Sequence, residues 1–169
     1  MRALVWIAEN TWEACVEGAR ALLPPEAAVT LLHVAPSDVE ELAASGHGAL
    51  LGRHPRHGAQ PPVRAIAQQE AEGLLQTARE RLGRDAELLS LRGRVEREVV
   101  TAAAGADLLV LARDGEHRPG PKSLGRWSRF VTDHAPCPVL LVWAPGPRAR
   151  PTAPAGPPPP PAGSTRRRR

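Results

Sequence analysis

Short apolar runs alternate with amphipathic segments through the first 143 residues of the chain. Five runs have the length and composition of strands: 2–8 (RALVWIA), 28–34 (AVTLLHV), 86–91 (AELLSL), 107–112 (DLLVLA) and 137–143 (CPVLLVW). Nearly continuous apolar runs are typical of parallel strands that are covered on both faces. The alternation therefore predicts an α/β fold with a five-stranded, parallel, doubly wound (Rossmann-like) sheet.

Start and stop signals place helices between these runs. Asn10 is predicted to cap the first helix, with Glu13 as its partner in a capping box, and Pro24 and Pro25 end that helix. Gly83 is predicted to end the longest helix. The further predicted helices cover 37–44, 63–82, 95–104 and 125–134.

Residues 45–62 (SGHGALLGRHPRHGAQPP) are rich in Gly, His and Pro and predict a long, mobile loop. Its histidines at 47, 54 and 57 raise the possibility of a metal site. No cysteine or carboxylate accompanies them, and their spacing matches no structural zinc pattern. We therefore interpret the segment as a solvated loop and predict no metal site.

Residues 144–169 form a separate compositional segment. They contain no acidic residue and no aliphatic residue larger than alanine, which predicts a disordered Pro/Arg-rich tail after a single domain at 1–143. The tail holds six of the 22 basic and none of the 18 acidic residues, so 1–143 carry a net charge of −2. That charge argues against a specific nucleic-acid partner. The terminal RRRR is either a non-specific contact for acidic partners or a solubilising end.

Composition also predicts a cytoplasmic location. No apolar run approaches the roughly 18 residues that span a bilayer, so no membrane association is expected. The N-terminus lacks the features of a signal peptide. Cys15 and Cys137 fit buried thiols in a reducing compartment. Arginine outnumbers lysine 21 to 1, which is typical of a high-GC bacterial genome.

The segment 107–143 reads as strand, glycine-containing loop, helix and strand. The unpaired N–H groups of a helix N-terminus and the positive end of its dipole form an anion site after such a loop. Gly115 and Gly125 allow backbone N–H groups to come close to a bound phosphate. This βαβ unit is therefore the candidate ligand site.

Three stretches in this unit, DLLVLARDG, SLGRWSRFVTDH and especially HAPCPVLLV at 134–142, resemble the universal stress protein (UspA-like) family. The resemblance extends over residues 2–143. It implies sheet order 3-2-1-4-5, a function in stress response or signalling, and a homodimer through the last strand. One subclass of the family binds ATP, and Mg²⁺ would accompany ATP.

The resemblance implies a degenerate form of the ATP-binding glycine motif. The family pattern is Gly, two residues, Gly, nine residues, Gly, then Ser or Thr. In this chain the spacing is kept at Ala112, Gly115, Gly125 and Arg126, but the first Gly is Ala and the hydroxyl residue is Arg. The guanidinium of Arg126 has two possible roles. It clamps a phosphate, or it folds across the site and pairs with Asp114 or Glu116.

The other implied contacts lie at strand ends and in the loop. Ala8 stands where the family has an Asp that contacts adenosine, and Glu9, one position along, points the other way on an extended chain. The family's backbone meets adenine at the position of Val34. Trp127 covers a base or belongs to the core. Arg113 and Lys122 contact phosphate or are solvated loop charges.

Two functions remain open at this point. The first is a nucleotide-binding signalling protein that holds ATP or another adenine nucleotide between strands 1 and 4. The second is a dimeric interaction module that has lost this site. No enzyme is predicted, because no nucleophile, base or catalytic motif can be placed. A dimer is also expected on physical grounds, because the apolar strand at Val139 to Trp143 would otherwise be an open sheet edge.

Overall fold

The computed structural model describes residues 1–37, 61–116 and 118–143. The strands are β1 (Arg2–Trp6), β2 (Ala28–Pro36), β3 (Glu87–Gly93), β4 (Leu108–Arg113) and β5 (Val139–Trp143). The helices are α1 (Trp12–Leu22), α2 (Pro61–Leu82), α3 (Val95–Ala103) and α4 (Arg126–His134), with a short 3-10 turn at Pro121–Ser123.

All five strands form one parallel sheet in the order β3-β2-β1-β4-β5. Both the doubly wound fold predicted from the apolar runs and the order implied by the family resemblance are confirmed. The central strand β1 pairs with β2 on one side and with β4 on the other. β5 lies at an edge of the sheet, next to β4.

The sheet is covered on both faces, which explains why its strands are apolar rather than alternating. α1 and α2 cover one face over a core that includes Val5, Leu31 and Val110. α3 and α4 cover the other face over a core that includes Leu32 and Leu111. Because successive side chains of a strand point to opposite faces, each central strand contributes to both cores.

The predicted capping box at the start of α1 is wrong. The N-cap residue is Thr11, and no side-chain hydrogen bond caps the helix. The N–H groups of Thr11 and Trp12 instead donate to the Ala8 carbonyl, each at 2.9 Å. A backbone turn that leaves β1 directly satisfies these donors, so the Asn10 side chain is not needed as a cap.

The predicted end of the longest helix is confirmed. Gly83 has φ of 70°, the left-handed conformation that glycine adopts without strain. Its N–H donates to the Arg79 carbonyl at 3.2 Å. The helix begins slightly earlier than predicted, at Pro61. An N–H at the first position of a helix has no intrahelical acceptor. A proline, which lacks the N–H, is therefore compatible with that position.

Three sequence predictions lie wholly or mostly outside the described residues. They are the helix at 37–44, the loop at 45–62 with its three histidines, and the tail at 144–169. Within the described ranges, no helix combines the length and the apolar character needed to cross a membrane.

Candidate functional site

The winding of the chain reverses between β1 and β4. The helix after β1, α1, packs on one face of the sheet, whereas the helix after β4, α4, packs on the other. The two connections therefore diverge at the carboxyl ends of these neighbouring strands. Ligands of open α/β sheets bind in the crevice that this divergence creates.

Three predicted site residues lie level with one another along this edge. Trp6 pairs with Leu32, so two residues further on Ala8 lies level with Val34. Val5 pairs with Val110, so three residues further along the strands Ala8 is also level with Arg113. Val34 is buried in the core under α3 and α4, and Ala8 packs against the same cluster. Glu9, the next residue, is exposed.

A histidine that the sequence did not single out marks the point where β1 leaves the sheet. The Ile7 N–H still bonds to the Leu32 carbonyl at 2.8 Å. The Ile7 carbonyl, which a continued ladder would pair with Val34, instead lies 3.0 Å from Nδ1 of the buried His33. A carbonyl only accepts, so Nδ1 carries the proton. The Val34 backbone thus borders the opening left by β1.

Ala112 belongs to the core beneath the site. It is 4% exposed and lies in the cluster under α1 and α2. Burial raises the pKa of the neighbouring Cys15 thiol to about 12, against an opposing hydrogen bond from the Ala112 backbone. Cys15 is therefore a neutral thiol at pH 7. The replacement of the first motif glycine by Ala112 thus adds a methyl group that packs in the protein interior.

The loop between β4 and α4 folds back on itself. The Gly115 N–H donates to the Ser123 carbonyl at 3.1 Å, and the Glu116 N–H donates to the Lys122 carbonyl at 2.8 Å. The buried Ser123 hydroxyl donates to the Gly120 carbonyl at 2.7 Å and accepts a hydrogen bond from Arg113 Nη1. Several donors of the predicted phosphate loop are therefore bonded within the loop itself.

Both motif glycines lie close to other parts of this loop, but only Gly115 is packed against backbone atoms, which cannot rotate away as a side chain can. A Cβ on Gly115 would lie 2.2 Å from the Lys122 carbonyl oxygen. A Cβ on Gly125 would lie 2.6 Å from Oδ2 of Asp114. The sequence pattern predicts close contact of both glycines with phosphate. The structure supplies a different reason for them, since each makes room for another part of the chain.

Arg113 is held by its neighbours on the sheet. It is the last residue of β4 and the register partner of Trp143 in β5. Its guanidinium carbon lies 4.9 Å from the centroid of the Trp143 ring, and Nη1 donates to the Ser123 hydroxyl. Cation–π contact and hydrogen bond together orient this side chain along the sheet edge. Both contacts would compete with a phosphate for the guanidinium.

The N-terminus of α4 is partly capped by a carboxylate. The Gly125 N–H donates to Oδ1 of Asp114 at 2.7 Å. The first intrahelical bond runs from the Arg129 N–H to the Gly125 carbonyl at 3.0 Å. Within the described part of the chain, the N–H groups of 126–128 have no acceptor. Three donors at the positive end of the helix dipole are thus still available to a ligand.

The side chains of Arg126 and Trp127 are both exposed. Among the described residues, Arg126 forms no ion pair with Asp114 or Glu116, so the occluding arrangement is not observed. Glu116 pairs instead with Lys122, whose Nζ lies 3.6 Å from Oε1. Trp127 is 42% exposed and is therefore not a core residue.

The family model described as "Universal stress protein family" matches residues 4–142. The chain belongs to the universal stress protein family. The resemblance seen in the sequence is thereby confirmed. No curated protein sequence matches this family member significantly.

Solved structures of universal stress proteins share the fold. One in complex with cAMP is 16% identical, with a TM-score of 0.57 and coverage of 86% of this chain and 98% of that chain. UspA from Lactobacillus plantarum is 18% identical, with a TM-score of 0.52 and coverage of 84% and 98%. A family protein from Arabidopsis thaliana with AMP bound is 16% identical, with a TM-score of 0.53 and coverage of 92% and 98%.

Sequence reasoning missed three residues that shape the site of this universal stress protein. His33 is a single polar residue in an apolar strand and Ser123 a single hydroxyl in a loop, so neither carries a sequence signal. Asp114 was considered only as a partner for Arg126. A helix cap is normally sought next to the helix in sequence. Asp114 lies 11 residues before Gly125 in the chain, so only the folded loop reveals the contact.

Proposed function

We propose that the protein is a non-catalytic, cytoplasmic regulator of the stress response that binds an adenine nucleotide in the crevice between β1 and β4. The observation that carries the proposal is the set of N–H groups at 126–128, which have no acceptor among the described residues and lie where the winding reverses. The complexes of two similar structures with cAMP and AMP support the choice of ligand.

In this proposal the strand ends hold the nucleoside and α4 holds the phosphate. Ala8, Glu9 and Val34 border the nucleoside, with the Val34 backbone reading the base beside His33. Arg126 and the N–H groups of the first turn of α4 bind phosphate, and the exposed Trp127 flanks it. Gly115, Arg113 and Ala112 shape the loop and its floor rather than contacting the ligand. Mg²⁺ would be required only if the ligand is ATP.

Calorimetric titration with adenosine, AMP, cyclic AMP, ADP and ATP, with and without Mg²⁺, tests the proposal. Replacing Arg126 by alanine is expected to weaken binding of AMP by about tenfold, because a charge-assisted hydrogen bond to phosphate is lost. Adenosine, which has no phosphate, should bind the variant unchanged. Arg20→Ala is the matched control, because Arg20 is exposed and lies in the last turn of α1, away from α4.

Two results would contradict this assignment. No binding of any adenine ligand at millimolar concentration would remove the nucleotide function. Tighter binding of AMP by Arg126→Ala would show that the guanidinium obstructs the crevice rather than clamping the phosphate.

A second candidate function is a dimeric interaction module without a nucleotide. Two hydrogen bonds favour it. The guanidinium of Arg113 donates to the Ser123 hydroxyl, and the Gly125 N–H donates to Asp114, so both donors already have acceptors within the protein. The presence of Ala8 in place of the family's Asp also favours a protein that binds no nucleotide. Failure of the titration above would support this function.

Either function is compatible with a homodimer through β5. The Leu109 N–H donates to the Pro138 carbonyl at 2.9 Å, and Leu109 is the register partner of Val139. In a parallel ladder this pattern directs the N–H groups of Val139 and Leu141 away from β4, toward the open edge. The side chains of β5 are mostly half-buried. Antiparallel pairing of two such edges across a two-fold axis would satisfy these groups.

Replacing Leu141 by proline is expected to convert the dimer into a monomer. The substitution removes an outward N–H at the centre of the proposed interface, whereas the bonds from β5 to β4 involve other residues. Light scattering at micromolar concentration should give about twice the 18.1 kDa chain mass for the wild type and the single mass for the variant. Leu141→Ala keeps the N–H and serves as the control. A wild type that is itself monomeric would refute the interface.

A further inference from the structure

The carboxylate of Asp114 occupies part of the anion site at the N-terminus of α4. Oδ1 accepts the Gly125 N–H at 2.7 Å. The whole carboxyl group lies against Gly125, because a Cβ there would meet Oδ2, Cγ and Oδ1 of Asp114 at 2.6–2.9 Å. A negative charge of the protein thus lies at the helix end where a phosphate of the ligand would bind.

The structure shows no ion pair between this carboxylate and the described cations of the same loop. Arg113 is directed to Ser123 and the Trp143 ring, and Lys122 lies beside Glu116. Asp114 itself is exposed and, within the described residues, forms no ion pair. Its charge therefore acts on any ligand that approaches the first turn of α4, where the effective dielectric constant is below that of bulk water.

We propose that Asp114 makes the crevice selective for adenine ligands of low negative charge, so that cyclic AMP and AMP bind in preference to ATP. This inference rests on the nucleotide function proposed above. A single phosphate can use the N–H groups at 126–128 and the Arg126 guanidinium. Each further phosphate adds negative charge close to the carboxylate and loses affinity through like-charge repulsion. Asp114 acts here as a specificity-determining residue.

The Asp114→Asn variant separates charge from hydrogen bonding. The amide oxygen of asparagine can still accept the Gly125 N–H, so the loop and helix cap are retained while the charge is removed. Calorimetry at low salt, where screening is weak, and without Mg²⁺, which would neutralise part of the phosphate charge, should show about tenfold tighter binding of ATP by the variant. Adenosine, which is uncharged, should bind both proteins within about twofold. The tenfold change corresponds to about 1.4 kcal/mol.

Glu116→Gln is the matched control, because it removes the same charge from the same loop. Glu116 pairs with Lys122 and does not contact the α4 N-terminus, so a change of less than about threefold in ATP affinity is expected. Urea unfolding of both variants checks that the fold is kept. Should Asp114→Asn unfold, Asp114→Glu retains the charge and is expected to keep the preference for AMP over ATP.

The possible results distinguish the inference from the function on which it rests. If the wild type binds ATP at least as tightly as AMP, and Asp114→Asn changes nothing, the selectivity inference is wrong while the nucleotide function stands. If neither protein binds any adenine ligand, the nucleotide function fails and the inference falls with it. A gain of ATP binding that is confined to Asp114→Asn supports the inference.

Discussion

Replacing Gly115 by valine is expected to lower the free energy of unfolding by about 1–3 kcal/mol and to open the loop before α4. The reason is steric, because even a Cβ at this position would lie 2.2 Å from the Lys122 carbonyl oxygen and 2.8 Å from the Ser123 carbonyl carbon. Both atoms belong to the backbone and cannot move aside by a change of rotamer. Relief requires the segment at 122–123 to shift, which breaks the hydrogen bonds that close the loop.

Urea unfolding followed by circular dichroism measures this effect, and Gly73→Ala provides the matched control. Gly73 lies inside α2, and a Cβ there would meet nothing within 4 Å. Alanine should therefore stabilise the protein by about 0.5–1 kcal/mol, because it restricts the unfolded chain and favours the helix. Equal effects of the two substitutions would show that the loop contact is not a determinant of stability.

Replacing Leu111 by alanine is expected to cost about 2–5 kcal/mol of stability, the largest single effect proposed for this protein. Leu111 is 0% exposed and lies in the central part of the sheet, on β4, within the core under α3 and α4. Truncation loses the transfer free energy of the side chain and leaves a cavity that the rigid sheet closes only in part. The midpoint of urea unfolding should fall, with little change in the slope.

The control for Leu111 is another leucine of the same chain. Leu22 ends α1 and is 63% exposed. Its replacement by alanine should change stability by no more than about 0.5 kcal/mol, since little apolar surface is buried there. A cost for Leu111→Ala that is as small as this would mean that β4 is not packed as the structure shows.

The site was harder to predict than the fold because its contacts join residues that are distant in sequence. The preserved spacing of Gly115 and Gly125 suggested contacts to phosphate, yet their close neighbours are Lys122 and Asp114 of the same loop. A pattern of glycines indicates that space is needed at a position. It does not indicate whether a ligand or another part of the chain fills that space.

Apolar periodicity by itself determined the class of fold, because strands covered on both faces have a composition that amphipathic helices do not share. The run HAPCPVLLV at 134–142 likewise indicated the family, and the family resemblance implied the sheet order. Only the tertiary structure decided which polar groups meet at the end of the sheet. The bond from Gly125 to Asp114 and the placing of Arg113 over Trp143 depend on the return of a loop and on strand register. Local sequence patterns carry no information about such contacts, because they form only when the strands are assembled.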